Sequence, residues 1–365
     1  MNTSHRRTSN GRERIPKEIR FIDLFCGIGG FRVAMEQAAP ACGYEPLCVF
    51  SSDIDQDCQT AYEANFGERP VGDIKGVNEN SIPDHDLLLA GFPCQPFSII
   101  GHMRGFEDTR GTLFFDIARI LAAKRPKAFV LENVKLLVGH NNGRTLARIL
   151  ETLRELGYQT AYKVLNALDF GLPQKRERVF IVGFLRPTAF YWPEGNVPMT
   201  PLVQLLEKEV PRRFYASDYI RQRRRSAVQP TSEPTIWHEN KGGHVSAYPF
   251  SCALRAGASY NYLLVNGERR LTPREMLRLQ GFPDSYKIVC SESQTRKQAG
   301  NSVPVPVVAA VLKKVLEAPI WSETNGSYSA VFSTIEGQMQ LLEKEISSAN
   351  TKTQKRRKVP ATVPA

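Results

Sequence analysis

The sequence lacks the features of membrane-spanning and secreted chains. Its 365 residues contain no uninterrupted run of about 20 apolar side chains, the length that a transmembrane helix needs. The first 20 residues are polar and basic, without the apolar segment of a secretory signal. These absences predict a cytoplasmic protein that makes no contact with a membrane.

The residue spacings typical of metal sites and disulfide frameworks are missing as well. The seven cysteines form an odd set without any C-x-x-C spacing, which argues against a disulfide framework and against a zinc cage. The six histidines are scattered, and no H-E-x-x-H motif is present. We therefore expect free thiols and no metal site.

Basic residues exceed acidic ones, but the excess is unevenly distributed. The net charge is +11 at pH 7, with +4 in residues 1–20, −3 in 21–200, +7 in 201–300 and +5 in 351–365. Charged tails are often only solvated and disordered. The middle block is therefore the surface that we expect to face a polyanion such as nucleic acid.

Short apolar runs alternate with helical candidates in the first half of the chain. Strands are predicted at residues 21–25, 47–50, 87–90, 128–131 and 179–184, and helices at 31–38, 112–123 and 145–156. This alternation is typical of an α/β fold, a mostly parallel sheet covered by helices. Seven prolines between positions 187 and 234 then interrupt the pattern, so a small irregular lobe is predicted there. Regular structure resumes with a helix start at Thr272-Pro273 and again at 303–316.

A glycine-rich turn, C-G-I-G-G, joins the first predicted strand to the first helix. Glycines in that position let the backbone approach a nucleotide-like ligand at a helix N-terminus. Gly27 and Gly29 match the spacing of the dinucleotide fingerprint, but Arg32 stands where the third glycine belongs, which disfavours NAD. Asp53 follows the next strand, where a carboxylate could hold ribose hydroxyls, and Asp73 follows the segment after it. From position alone, either aspartate could equally occupy an ordinary turn.

A cysteine between two prolines is the most distinctive feature of the chain. Cys94 lies in G-F-P-C-Q-P-F-S directly after a predicted strand, so a stiff loop would direct its thiol into a cleft. A thiol so placed can become a thiolate nucleophile, whereas the alternative of a buried, inert thiol suits Cys42 or Cys48 better. Glu132, in L-E-N-V at the end of another strand, would reach the same edge of the sheet. Seen alone, it is either a catalytic acid or a structural ion-pair partner.

Six motifs place these residues in a familiar order. The chain resembles the cytosine-5 DNA methyltransferase family from residue 21 to about 316, most of all its bacterial restriction-modification type, on the segments FIDLFCGIGGF, GFPCQPFS, LENV, QKRERVFIVGF, RRLTPREMLRLQGFPDSY and QAGNSVP. The resemblance implies a Rossmann-like fold that binds S-adenosylmethionine, with helices on both faces of the sheet. It also implies methyl transfer to carbon 5 of a cytosine in double-stranded DNA, by a monomer that protects host DNA from a partner restriction endonuclease.

The cofactor residues of the family can be carried over by position. The resemblance implies a pocket formed by Phe25, Gly27, Gly29, Asp53, Ile54, Asp73, Asn301 and Ser302. In this pocket Asp53 would hold the ribose hydroxyls and Asp73 would receive the adenine amino group. Asn301 and Ser302 would close the pocket near the methionine end.

The same resemblance implies a catalytic set of Cys94, Glu132, Arg176 and Arg178. Cys94 would add to carbon 6 of the cytosine while Glu132 protonates or hydrogen-bonds ring nitrogen 3, which makes carbon 5 nucleophilic. This role requires that burial raise the pKa of Glu132. Arg178 would lie near the base carbonyl, and Arg176 would be a second substrate-binding residue. Because stacked neighbours cover a cytosine in a duplex, the base must rotate out of the helix.

DNA contacts are expected in two places. The loop at 98–110 has the glycines and charges of a lid, with Arg104 and Arg110 placed to meet phosphates. Ile100 departs there from the serine that some family members carry. In the irregular lobe the expected contacts are Arg212, Arg213, Arg221, Arg223, Arg224 and Arg225. Most of these would serve phosphates, and one or two would read bases.

These expectations divide the chain into six segments. They are a disordered basic tail at 1–18, a catalytic and cofactor-binding domain at 19–187, a target-recognition domain at 188–272, a hinge at 273–300, the C-terminal part of the catalytic domain at 301–322, and a largely disordered polar basic tail at 323–365. The last tail contains KTQKRRK, which resembles a nuclear import signal or is simply a basic tail with nonspecific DNA affinity.

Two other functions are compatible with parts of this pattern. An RNA-modifying branch of the family has a similar core, but the Cys-Phe-Thr element typical of that branch is absent, and the nearest stretch is S-C-A-L at 251–254. An inactive DNA-binding relative would show decayed motifs, yet every inspected motif position has the expected residue type.

Overall fold

The computed structural model describes residues 16–93, 113–229 and 231–321. The strands are β1 (Lys17–Leu24), β2 (Tyr44–Ser52), β3 (Leu87–Gly91), β4 (Ala128–Val134), β5 (Gln159–Asn166), β6 (Gln174–Lys175), β7 (Glu177–Phe184), β8 (Ile236–Glu239), β9 (Val245–Tyr248), β10 (Ser251–Cys252) and β11 (Leu263–Val265). The α-helices are α1 (Gly30–Ala41), α2 (Gln56–Phe66), α3 (Leu113–Lys124), α4 (Leu136–Gly139), α5 (Arg144–Glu155), α6 (Asp218–Arg225), α7 (Pro273–Leu279), α8 (Glu292–Asn301) and α9 (Val305–Leu316). Outside the described residues lie Cys94, Ile100, Arg104, Arg110 and most of both expected tails.

Six strands form the main sheet in the order β2-β1-β3-β4-β7-β5. The first three pairings in this order are parallel, and β7 is antiparallel to both of its neighbours, so five strands run in one direction. The α/β fold with a mostly parallel sheet, as predicted from the sequence, is thereby confirmed. The four adjacent parallel strands end at the same edge, which gathers the residues that follow them around one cleft.

Helices cover both faces of this sheet, as expected. Alternate residues of β3 face opposite apolar clusters, with Leu87 and Leu89 in one and Leu88 and Ala90 in the other. Side chains of α1 and α9 complete the first cluster, and side chains of α3 and α5 complete the second. A strand covered on both sides must be apolar at every position, which explains why β3 is visible in the sequence as a continuous apolar run.

The lobe at 188–272 is more regular than the sequence indicates. Strands β11, β8 and β9 form an antiparallel sheet in that order, with Trp237 of β8 fully buried. Strand β10 pairs in parallel with β6, so that Cys252 lies opposite Lys175 and the lobe is attached beside the main sheet. Strands of two to four residues are too short to show an alternating pattern, so they could not be recognised from the sequence.

Helix α7 begins with the predicted cap, and its capping glutamate joins three segments. Thr272 accepts a hydrogen bond from the Glu275 backbone N–H, while the Glu275 carboxylate accepts from the Thr272 N–H at 2.8 Å. The same fully buried carboxylate accepts from both terminal nitrogens of Arg269 at 2.8 Å and from the Glu207 N–H at 2.9 Å. Glu275 therefore ties the end of the lobe to the start of the next helix.

Helices α8 and α9 together form the stretch Glu292–Leu316. Within the described part of the chain it is the one stretch whose length and composition would suit a membrane crossing. However, 67% of its most apolar window is buried inside the protein, and α9 packs against α1. Its apolar surface is thus used by the core.

Replacing Glu275 by Gln is expected to lower the free energy of unfolding by about 3–5 kcal/mol, the cost of leaving a buried charge without its partner. The substitution keeps the size of the side chain but removes the charge that compensates Arg269. Urea unfolding followed by circular dichroism measures the loss. The matched control is Glu317→Gln, because the ion pair between Glu317 and Lys314 is exposed and contributes about 0–1 kcal/mol. Equal losses in the two variants would contradict this role of Glu275.

Candidate active site

A cleft of about 570 Å³ opens where the four parallel strands end. It is lined by ten of the residues singled out from the sequence, namely Phe25, Gly27, Asp53, Ile54, Asp73, Glu132, Arg176, Arg178, Asn301 and Ser302. Gly29 is the N-cap of α1 at the end of the same glycine turn. The fold therefore brings together residues that follow β1 and β2, residues within β4 and β7, and the end of α8.

The glycine turn forms one wall of the cleft and has an uncommon backbone. Phe25 and Gly27 each have a φ of +54°, and Gly29 has a φ of +79°. Among the described residues, apart from Gly27 and its two chain neighbours, no atom lies within 4 Å of the place that a Cβ on Gly27 would take. A Cβ on Gly29, in contrast, would overlap the ring of Phe66. Gly27 therefore leaves room for a ligand, and Gly29 is required by packing of the fold itself.

Asp53 is held in a fixed orientation by the backbone. Its Oδ2 accepts a hydrogen bond from the Gly27 N–H at 2.7 Å, and its Oδ1 accepts one from the Asp55 N–H at 2.8 Å. Burial raises the pKa of Asp53, while these two N–H donors favour its charged form. Each carboxylate oxygen has a second lone pair, which is available to a ligand hydroxyl.

Ile54 and Asp73 provide apolar and acidic surface along the same cleft. The Ile54 residue is 71% exposed, which is unusual for an isoleucine and leaves its side chain open to a planar apolar ligand. Asp73 begins the short turn Ile74–Gly76, where its Oδ1 accepts from the Lys75 N–H at 3.1 Å. The turn role that the sequence left open for Asp73 is therefore real, and its second carboxylate oxygen has no such bond.

Glu132 and Arg178 form a buried ion pair at the end of β4. The antiparallel register of β4 and β7 pairs Val134 with Arg178, and Arg178 Nε lies 2.9 Å from Glu132 Oε1. Burial raises the pKa of Glu132, the charges of Arg178 and Arg176 lower it, and the net shift is upward. Glu132 is thus an ion-pair partner that also keeps a proton to higher pH than a free glutamate does.

Asn133 fixes the start of the loop that contains Cys94. Its Nδ2 donates to the Phe92 carbonyl at 2.8 Å, in a buried contact between the ends of β4 and β3. Phe92 and Pro93 line the cleft beside Glu132, and Cys94 is the next residue. Asn133 was not singled out from the sequence, although an amide directly after a buried strand in L-E-N-V was the available signal.

Arg176 joins three segments of backbone. Its Nη1 donates to the Leu254 carbonyl at 2.9 Å, and its Nη2 donates to the carbonyls of Gly300 and Ser302 at 3.0 and 2.6 Å. The side chain lines the cleft but is fully buried. Its terminal nitrogens hold the backbone, whereas its Nε has no hydrogen-bond partner among the described residues, so the substrate contact expected for Arg176 stays a prediction beside this structural role.

Five of the six lobe arginines expected to contact DNA are paired with carboxylates. The pairs are Arg213 with Glu292, Arg221 and Arg225 with Glu268, and Arg223 and Arg224 with Glu239. Arg224 is also fully buried and donates to the Asn261 carbonyl, which removes it from the candidate DNA contacts. Arg212 is exposed, and no ion pair to it occurs within the described ranges.

Solved structures share the fold of this chain. A methyltransferase of Entamoeba histolytica, EhMeth, matches with a TM-score of 0.62 at 17% identity, over 82% of this chain and 98% of that one. DNMT2 of Spodoptera frugiperda matches with a TM-score of 0.64 at 19% identity, over 82% of this chain and 100% of that one. These matches show that the chain has the α/β fold of these two proteins.

Sequence relatives identify the family of the chain. The model of the C-5 cytosine-specific DNA methylases matches residues 19–317. The Type II methyltransferase M.NgoBI of Neisseria gonorrhoeae is 59% identical over 297 residues, which are 80% of this chain and 91% of that protein. M.HaeII of Haemophilus aegyptius is 54% identical over 305 residues, which are 83% and 94% of the two chains. The chain belongs to the C-5 cytosine-specific DNA methylase family and is a DNA cytosine-5 methyltransferase that uses S-adenosylmethionine.

The cleft fits this cofactor in chemical character. S-adenosylmethionine combines an adenine ring, a ribose with two hydroxyl groups, and a methionine end that carries a sulfonium. Phe25 and Ile54 offer apolar surface, the oriented carboxylate of Asp53 can accept from the ribose hydroxyls, and Asp73 can accept from the adenine amino group. Within the residues that the structure describes, no group of three or more potential ligands is arranged to hold a metal ion.

Replacing Asp53 by Asn is expected to weaken S-adenosylmethionine binding by about 10- to 150-fold, because a charged hydrogen-bond acceptor contributes about 1.5–3 kcal/mol. Isothermal titration calorimetry on the purified protein measures the dissociation constant. Asp57→Asn is the matched control, since Asp57 lies in the first turn of α2 and does not line the cleft. Wild-type affinity in a correctly folded Asp53→Asn protein would rule out the ribose contact.

Proposed function

We propose that this enzyme methylates cytosine through a transient covalent bond between Cys94 and carbon 6 of the base. The observation that carries the proposal is the position of Glu132, buried at the end of β4 and paired with Arg178. Phe92 and Pro93 line the same cleft and lead directly to the cysteine. An acid group and the attachment point of a thiol therefore serve one cavity.

The Cys94 thiolate activates the base by adding to it. Carbon 5 of cytosine is a weak nucleophile until electron density enters the ring. When the sulfur bonds to carbon 6, the electron pair of the 5,6 double bond is displaced toward carbon 5. Glu132 gives a proton to ring nitrogen 3, or shares one with it, and thereby offsets the negative charge that the thiolate brings. Arg178 orients the ring and offsets charge at the carbonyl.

The second half of the reaction restores the enzyme. S-adenosylmethionine, when bound, supplies the methyl group that carbon 5 accepts. Loss of the proton from carbon 5 then re-forms the double bond as the sulfur–carbon bond breaks, which releases Cys94 as a thiolate. Glu132 takes its proton back from nitrogen 3, and its upward-shifted pKa suits a group that must give and regain a proton.

The cytosine is proposed to react outside the duplex. Glu132 is only 8% exposed, so a base stacked within a helix could not reach it and must be extruded first. We propose that Arg104 and Arg110, which lie outside the described residues, contact the DNA strand. Similarity to proteins named Type II methyltransferases supports DNA rather than RNA as the substrate.

The biological setting is proposed from the same relatives. The enzyme would act as a monomer on DNA in the cytoplasm, and its product would be protected from a partner restriction endonuclease. Residues 19–187 and 301–322 would form the catalytic unit and 188–272 the target-recognition domain, with 273–300 as a hinge. The short sheet of β8, β9 and β11 supports treating 188–272 as a unit.

Cys94→Ala is expected to abolish methylation, because it removes the sulfur that is proposed to add to carbon 6. Bisulfite sequencing of plasmid from cells that express each protein measures methylation and reads the target sequence. Cys42→Ala is the matched control, since that thiol lies at the end of α1 and does not line the cleft. Methylation that persists in Cys94→Ala would exclude the covalent route.

Glu132→Gln is expected to lower the rate of methyl transfer by about 10²- to 10⁴-fold, the usual contribution of an acid catalyst. Glu132 acts in its protonated form, so wild-type activity is present below its raised pKa and is lost as the pH rises through that pKa. A glutamine cannot ionise, so the variant should lack this alkaline decline. Single-turnover rates across a pH series measure both effects.

Glu177→Gln serves as the control for this series. Glu177 is next to Arg178 in the chain, but its carboxylate is paired with Lys135 at 2.6 Å outside the cleft. Its pH profile should match that of the wild type. An alkaline decline of unchanged position in Glu132→Gln would assign the titration to another group.

A further inference from the structure

Two cations without carboxylate partners stand where the lobe meets the cleft. Lys175 on β6 and Arg255, three residues after β10, are both exposed. Within the described ranges, no carboxylate forms an ion pair with either of them. They differ in this respect from the arginines of α6, whose charges are paired with Glu239 and Glu268.

Strand pairing places Lys175 beside the segment that carries Arg255. The register of β10 and β6 sets Lys175 opposite Cys252. Burial raises the pKa of the Cys252 thiol, and the charges of Lys175 and Arg255 lower it. The net shift of the pKa is upward. The backbone between them is fixed, because the Leu254 N–H donates to Gln174 Oε1 at 2.9 Å and the Leu254 carbonyl accepts from Arg176 at 2.9 Å.

The same segment borders the cleft. Lys175 lies between the buried side chains of Gln174 and Arg176, and Arg176 lines the cavity. Gly300, which also lines the cavity, contacts the other side of the segment, since a Cβ on it would lie 2.8 Å from the Arg255 carbonyl carbon. Lys175 and Arg255 are therefore carried by two segments that border the cleft, although neither side chain lines it.

Arg255 is held in place before any ligand arrives. Its guanidinium lies 4.9 Å from the ring centroid of Tyr262, and the backbone N–H of Arg255 donates to the Tyr262 hydroxyl at 3.0 Å. The adjoining loop is tied down by Arg296, which donates to the Ser259 carbonyl at 2.8 Å and lies over the Tyr260 ring at 4.5 Å. An arginine stacked in this way loses less freedom when it binds an anion than a free side chain does.

We propose that Lys175 and Arg255 bind backbone phosphates of the DNA strand beside the extruded cytosine, and that the arginines of α6 do not supply this contact. The inference rests on the enzyme's action on duplex DNA. Phosphate contacts fix the position of the strand and raise affinity without choosing sequence. To bind a phosphate, the arginines of α6 would first have to break their ion pairs with Glu239 or Glu268. The energy lost in breaking a pair offsets much of the energy gained from the phosphate contact.

The salt dependence of DNA binding tests this assignment. The probe is a fluorescent duplex that contains the methylated site found by bisulfite sequencing, with S-adenosylhomocysteine present, and binding is measured by anisotropy over a series of salt concentrations. Lys175→Gln and Arg255→Gln are each expected to reduce the slope of log K against log salt by about 0.9, and the double variant by about 1.8, since each lost phosphate contact releases one fewer counterion.

Two control variants carry the same loss of charge. Lys163→Gln removes an exposed lysine from the edge strand β5, away from the cleft, and Arg225→Gln removes an arginine that is paired with Glu268. Both should keep the wild-type slope. Melting temperature and S-adenosylmethionine affinity verify that each variant is folded.

The outcomes separate the inference from the function on which it rests. Wild-type slopes in Lys175→Gln and Arg255→Gln, or an equal reduction in Arg225→Gln or Lys163→Gln, would overturn the assignment of the phosphate contacts. A wild-type protein that methylates no plasmid and binds no duplex would instead count against the DNA methyltransferase function.

Discussion

One buried guanidinium holds the two sides of the cleft together. Arg176 connects the end of β6 to Leu254 of the lobe and to the Gly300 and Ser302 carbonyls at the end of α8. Removing a charge from water costs several kcal/mol, and charge-assisted hydrogen bonds to three carbonyls offset that cost. Because these acceptors belong to different parts of the chain, the cofactor wall and the lobe keep a fixed position relative to Glu132.

Arg176 and Arg178 lie two positions apart, yet their side chains bind different groups. One binds carbonyls, whereas the other binds the carboxylate of Glu132 directly at 2.9 Å. An ion pair with an arginine normally lowers the pKa of a glutamate. Here burial is the larger effect and the net shift is upward, so the pair orients the carboxyl group without forcing it to stay ionised. That balance suits an acid that must return to its starting state after every turnover.

The parts of the site that depend on local sequence were predictable, and those that depend on distant partners were not. The strand before Gly27 and the apolar runs of β3 and β4 determine the sheet edge, so the sequence placed Asp53 and Glu132 correctly at one cleft. The partners of Arg176 lie 78 to 126 positions away and are backbone carbonyls, which leave no trace in residue type. The role of this arginine therefore required the fold.

The lobe shows why net charge is a poor guide to a binding surface. Its arginine-rich stretch suggested a DNA-facing surface. However, Glu239 and Glu268, which lie in or beside the short strands β8 and β11, form ion pairs with the arginines of α6. These ion pairs join a helix to a sheet of three short strands. A lobe made rigid in this way can present a fixed surface to the bases, while phosphates are left to cations with no internal partner. The shape of the lobe and the affinity for DNA phosphates would then depend on different residues, so a mutation that alters one need not alter the other.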